Sequence, residues 1–145
     1  MAWTDVNDDV ISHDQELVIA NSHRTNAGTY TCHANNTFFN GQMGYGNSSI
    51  FMDVQYFSDV NIEDKSNGRV ILGDTFTADC VVDSNPEAEY KWTLPGGRVS
   101  TSPQLEIPSA IKNNTGNYTC EANTTFWNGS LEIASAHLYL DVQCK

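Results

Sequence analysis

Four cysteines (Cys32, Cys80, Cys120, Cys144) and four histidines (His13, His23, His33, His137) are the side chains of this 145-residue chain best suited to nucleophilic or metal chemistry. Their spacing favours neither. No two cysteines form a C-x-x-C pair, so a zinc site is not indicated. No histidine stands in an H-E-x-x-H or comparable ligand spacing, and no G-x-S-x-G turn presents a nucleophile. The glycine-rich GQMGYG, residues 41–46, leads from strand to strand, so it lacks the helix N-terminus that would hold a phosphate. Asp5, Asp8 and Asp9 are the only tight acidic group and read as a solvated loop. One kind of chemistry is well represented. Asn35, Asn47, Asn113, Asn117, Asn123 and Asn128 each begin an N-x-[ST] acceptor for N-linked glycans. Their density favours passage through a secretory lumen. No catalytic residue, cofactor, metal or small-molecule substrate is expected.

Composition narrows the partners. With 18 acidic against 7 basic residues the net charge is −11, which disfavours nucleic acid, because phosphate binding needs clustered Lys and Arg. No apolar run approaches the length of a membrane-spanning helix. The opening MAWTDVNDDV lacks the charged and apolar regions of a signal peptide.

The elements that must position these residues come in two copies. At an offset of 88, Gly28-Thr29-Tyr30-Thr31-Cys32 overlays Gly116-Asn117-Tyr118-Thr119-Cys120. The match runs without a gap through Ala34/Ala122, Asn35/Asn123, Phe38/Phe126 and Gly41/Gly129 to Asp53-Val54-Gln55 against Asp141-Val142-Gln143. Upstream, Leu17 and Ile19 overlay Leu105 and Ile107. Each copy reads as short strands. Phe76, Ala78, Cys80 and Val82 alternate with Thr75, Thr77, Asp79 and Val81, and Leu138, Leu140 and Val142 share a face. Such period-two patterning gives half-buried strands. SNPE, LPGG, KNNTG and WNG supply the turns. An all-β sandwich or barrel is expected.

In the second copy Cys80 and Cys120 both fall on inward positions, Trp92 follows the first, and Tyr118 precedes the second by two residues, behind Gly116. NTGNYTCEA resembles the strand-F motif D-x-G-x-Y-x-C-x-A of the immunoglobulin superfamily, with Asn114 where Asp is usual. Asn can cap the turn by hydrogen bonding but cannot form the salt bridge that Asp often makes there. The resemblance implies an immunoglobulin-like β-sandwich of intermediate or constant-like set. It also implies a Cys80–Cys120 bridge between the sheets, with Trp92 beside it, Leu105 in the core and Tyr118 bonding back to the corner. In the same frame Trp3, Tyr30 and Cys32 belong to a first domain, residues 1–56, that runs from strand C to strand G without strands A and B. Residues 57–145 form a complete one. The chain then reads as part of a longer array, or as a naturally shortened domain that begins at Met1. A missing disulfide costs about 2–5 kcal/mol, comparable to the stability of a small domain. Residues 1–56 are therefore expected not to fold stably alone. Cys144 reads as an odd thiol or as the partner of a cysteine in a further domain.

The resemblance implies protein recognition. The leading expectation is an extracellular module of a cell-adhesion or cell-surface receptor ectodomain, carrying N-glycans and binding a protein partner homophilically or heterophilically. A secreted immune-recognition molecule and an intracellular structural array are the alternatives. The connection between the last two strands is expected to be long, about 38–47 and 126–135, with Phe39 and Trp127 as outward contact residues. Glycans on Asn35, Asn117 and Asn123 would cover the outer face of that sheet.

Overall fold

The structure, a computed structural model, describes all of residues 1–145. The chain is nearly all strand and divides into two compact units, Met1–Val54 and Gln55–Lys145. Tyr56 thus falls on the second unit's side of the boundary, because Tyr56–Phe57 pairs with Ser84–Asn85 in that unit.

The first unit is one four-stranded antiparallel sheet. β1 (Ala2–Thr4), β2 (Val10–Ser12), β3 (Gly28–Thr37) and β4 (Met43–Met52) lie in the order β2-β1-β3-β4. Asp5, Asp8 and Asp9 make the β1–β2 turn, where Asp5 Oδ1 accepts from the amides of Asn7 (2.8 Å) and Asp9 (3.0 Å). That geometry is an Asx-type turn and gives the acidic trio a structural job.

The second unit continues with β5 (Tyr56–Phe57), β6 (Asn61–Glu63), β7 (Arg69–Ile71), β8 (Phe76–Val81), β9 (Ser84–Asn85), β10 (Glu89–Thr93), β11 (Val99–Ser100), β12 (Gln104–Ile107), β13 (Gly116–Thr125) and β14 (Leu131–Gln143). Its larger sheet runs β11-β10-β13-β14-β7 and the opposing sheet β12-β8-β6. Between them lies one core, including Phe76, Ala78, Cys80, Trp92, Leu105, Tyr118, Cys120 and Leu140. Alternation explains why: β8 reads buried-exposed-buried from Phe76 to Val81, and β13 buries Tyr118, Cys120, Ala122 and Thr124 on one side.

One device of the second unit has a plain sequence cause. The chain changes sheets between β6, which pairs with β8, and β7, which runs parallel to β14. The crossing is made at Asp64-Lys65-Ser66-Asn67-Gly68, where Asp64 Oδ1 accepts from Ser66 N (2.8 Å) and Gly68 N (3.1 Å). Gly68 has φ 72°, and a Cβ there would collide with the Tyr139 carbonyl oxygen, so only glycine fits.

The two copies diverge where the second sheet is concerned. Residues 104–107 form β12 by pairing with β8, whereas the equivalent residues 16–19 form no strand. Likewise β14 extends through Asp141–Gln143 along β7, while β4 ends at Met52. A strand holds its shape through its ladder, and the first unit has no second sheet to supply one.

Candidate functional site

The fold-determining side chains set which faces are free. Cys80 and Cys120 form a disulfide with their Cα atoms 6.3 Å apart. Trp92, opposite Cys120 in the β10–β13 ladder, is fully buried beside it, and its Nε1 donates to the Pro103 carbonyl at 3.1 Å. Leu105 is buried in the same core. The Tyr118 hydroxyl donates to the Asn114 carbonyl (2.7 Å), and Asn114 Oδ1 accepts from Ile111 N (2.8 Å). Asn114 thus caps its turn without the carboxylate usual at that position. Burial raises the Tyr118 phenol above its ordinary pKa. Gly116 enters β13 at φ 151°, where a Cβ would meet Pro95 Cγ at 2.8 Å.

The first unit repeats the small-scale geometry without the cover. Tyr30 is buried and donates to the Asn26 carbonyl (2.7 Å), and Asn26 Oδ1 accepts from His23 N (2.7 Å). Trp3 stands opposite Cys32, as Trp92 does opposite Cys120. Yet Cys32 is a free thiol, and Trp3 Nε1 is buried with no partner. Trp3, Leu17, Ile19, Tyr30, Ile50 and Met52 line an open groove of about 650 Å³. The equivalent face of the second unit's own β10–β13 sheet is covered by β8 and β12. Cys144 is also free and is exposed beyond β14.

None of the four histidines joins a catalytic cluster. His33 Nε2 lies 3.3 Å from Thr4 Oγ1 and His137 Nδ1 lies 2.9 Å from Thr119 Oγ1, both on outward faces. No three His, Cys, Asp or Glu side chains converge as metal ligands.

The N-x-[ST] asparagines lie on the outward sides of the strands and in turns. Asn35 on β3, Asn47 on β4, Asn113 in a 3₁₀ turn and Asn117 on β13 are exposed, and Asn123 on β13 is half-buried. The ladders set Asn35 opposite Tyr45, Asn117 opposite Tyr139 and Asn123 opposite Ile133. Asn128 lies in the β13–β14 turn with its Oδ1 accepting from Ser130 N (2.9 Å).

The connection between the last two strands is short, not long. In each unit five residues, 38–42 and 126–130, join ten-residue or longer strands. Phe126 N donates to the Ser130 carbonyl (2.8 Å) and Gly129 N to the Phe126 carbonyl (2.9 Å), with the same pair of bonds at Phe38, Gln42 and Gly41. Asn-Gly closes a tight hairpin, so residues 43–47 and 131–135 pair rather than loop. The outward direction of the aromatic tip holds: Trp127 is 86% exposed and Phe39 wholly so. Trp127 N donates to Gln55 Oε1 at 2.7 Å, which fastens the tip of the second unit's hairpin. The aromatics and glycine of TFWNG mark the tip in the sequence, whereas the Gln55 anchor, 72 positions away, carries no local signal.

Comparison with known proteins agrees with this architecture. Residues 60–124 match the Immunoglobulin domain family. Human (Homo sapiens) Contactin-2 is 30% identical over 139 residues, which cover 84% of this chain and 13% of that protein. Immunoglobulin superfamily member 10 of Rattus norvegicus is 23% identical over 130 residues, covering 81% of this chain and 5% of its own length. The chain therefore spans a small part of these relatives. Among solved structures, that of Dpr11 IG1 bound to DIP-gamma IG+IG2 aligns with a TM-score of 0.71 at 16% identity, covering 97% of this chain and 82% of that one.

Proposed function

This chain belongs to the immunoglobulin superfamily, a family of recognition modules rather than enzymes, and from that membership we propose that it is an extracellular part of a cell-adhesion or receptor ectodomain. Its partner in this reading is a cell-surface protein, a second copy of itself or a different molecule, and it carries N-glycans.

The observation that carries the proposal is the pair of exposed aromatics at equivalent hairpin tips, Phe39 and Trp127. A large apolar side chain held in water has a cost that contact with a partner removes, and tryptophan is over-represented among residues that dominate binding. Trp127 is also pre-positioned, because Gln55 fixes its backbone amide. A held anchor loses less entropy on binding than a mobile one. The solved neighbour is itself a complex between immunoglobulin-domain proteins, which accords with a protein partner.

The test is a binding screen of the whole chain, displayed on beads, against itself and a panel of cell-surface ectodomains. Trp127→Ala is expected to weaken the partner found by about tenfold or more. Asn128→Gln, which removes only the neighbouring glycan acceptor, is expected to bind at least as well as the parent. Undiminished binding by a Trp127→Ala, Phe39→Ala double variant would take the contact off the tips. Failure to bind any member of the panel, itself included, would count against the recognition surface altogether.

A further inference from the structure

Large apolar side chains that face water on a rigid sheet call for an explanation when they recur beside one kind of polar group. Here the outer ladder sets Tyr139, 58% exposed, directly across from Asn117, and Tyr45, 77% exposed, directly across from Asn35. Of the other two strand acceptors, Asn123 faces Ile133, 54% exposed, and Asn47 faces His33. The internal repeat does not produce this pattern. Asn35 and Asn123 are equivalent, but Asn117 has Thr29 as its counterpart, so the association arises at two different positions of the strand.

We propose that Asn117 and Asn35 carry N-linked glycans whose first sugar packs on the Tyr139 and Tyr45 rings respectively, closing the outer face of both sheets. The inference rests on the extracellular reading above. Directly opposed residues in an antiparallel pair have Cβ atoms about 5 Å apart, and both project to the same side. An N-acetylglucosamine on the asparagine Nδ2 therefore begins beside the tyrosine ring. One face of its pyranose presents C–H groups, which lie on the π face of an aromatic ring and remove apolar area from water. Attachment itself is ordinary group transfer from a lipid-linked oligosaccharide diphosphate. The asparagine amide nitrogen bonds to the sugar C1 and loses a proton, while the C1–O bond to the diphosphate breaks and the lipid diphosphate leaves with the electron pair. Thr119 and Thr37 supply the hydroxyl at the third position of each acceptor. The face so covered is the outer one, which leaves the aromatic hairpin tips as the uncovered surface.

The chain is expressed through a secretory host with a supplied leader, so occupancy does not depend on finding a partner for Trp127. Peptide mapping gives occupancy, and brief treatment with tetranitromethane reports the accessibility of each tyrosine. Covering one of the two ring faces leaves about half of the exposed ring area, so Asn117→Gln is expected to raise nitration of Tyr139 about twofold without changing Tyr45. Asn35→Gln is expected to do the reverse, and each variant is the other's folding control. Unoccupied Asn117 and Asn35 in the secreted parent would overturn the proposal. So would occupied sites whose removal leaves the nitration of both tyrosines unchanged.

Discussion

The Tyr118 hydroxyl donates to the carbonyl of Asn114, four residues before it, at 2.7 Å. This bond ties β13 to the turn that precedes it. The same bond, also at 2.7 Å, joins Tyr30 to Asn26 in the first unit, where most of the opposing core is missing. The corner is thus a local structure that the motif makes for itself. Its removal exposes a predictable deficit: Tyr118→Phe keeps the buried ring and leaves the Asn114 carbonyl short of a donor. The expected cost is about 1 kcal/mol or more, read as a lowered urea midpoint for the second unit with an unchanged slope.

The same phenol predicts an alkaline limit. Burial holds the Tyr118 pKa above its ordinary value, so the folded state favours the protonated form. A raised folded-state pKa contributes stability that is complete below the unfolded value, about 10. That stability is lost as pH rises through the folded value. The parent should therefore lose stability above about pH 10 more steeply than Tyr118→Phe, which has no proton to release. Denaturant midpoints of the two proteins from neutral pH to strongly alkaline pH check this, and parallel curves would contradict it.

The bridge should separate the cysteines sharply. Cys80→Ala with Cys120→Ala removes a crosslink between the two sheets, and the expected loss is about 2–5 kcal/mol. Cys32→Ala removes a thiol that is bonded to nothing, so its cost should stay below about 1 kcal/mol. Unfolding by urea without reductant gives both numbers. A Cys32→Ala cost as large as that of the pair would mean that Cys32 is doing more than filling space.

What could be read in the sequence follows from how locally each feature is determined. The Tyr118 corner, the inward cysteines, Trp92 and the Asn114 turn all lie within strands or turns whose period and composition announce them. The strand switch at Asp64–Gly68 also has a local cause, an aspartate carboxylate that gathers two amides, but no alternation marks it. The expected long hairpin loop is absent for a physical reason. Gly44, Gly46, Asn47 and Ser48 look like turn residues, yet they are ladder residues of β4. Small side chains sit there without strain because no second sheet presses on them. Contacts distant in sequence, such as Gln55 with Trp127, leave no mark that spacing can reveal.

The two tryptophans that stand opposite Cys32 and Cys120 should respond differently to the same substitution. Trp92 is fully buried, and its Nε1 donates to the Pro103 carbonyl, which also accepts from Cys80 N at 2.9 Å. Trp92→Phe loses that bond and leaves a void the size of the missing ring, although the carbonyl keeps its backbone donor. The expected cost is about 2–3 kcal/mol. Trp3 stands in the matching register but has no acceptor for its buried Nε1, because residues 13–16 do not form the strand edge that Pro103 leads into. Trp3→Phe removes an unsatisfied donor, a gain of about 1–3 kcal/mol, against a modest loss of packing. The net effect should be close to zero or stabilising. Amide exchange resolves the two units separately: Trp92→Phe should speed exchange along β13, and Trp3→Phe should leave β3 unchanged or slower. If Trp3→Phe instead accelerates β3 as strongly as Trp92→Phe accelerates β13, the indole of Trp3 is bonded in solution and the face around it is more completely covered than the open groove implies.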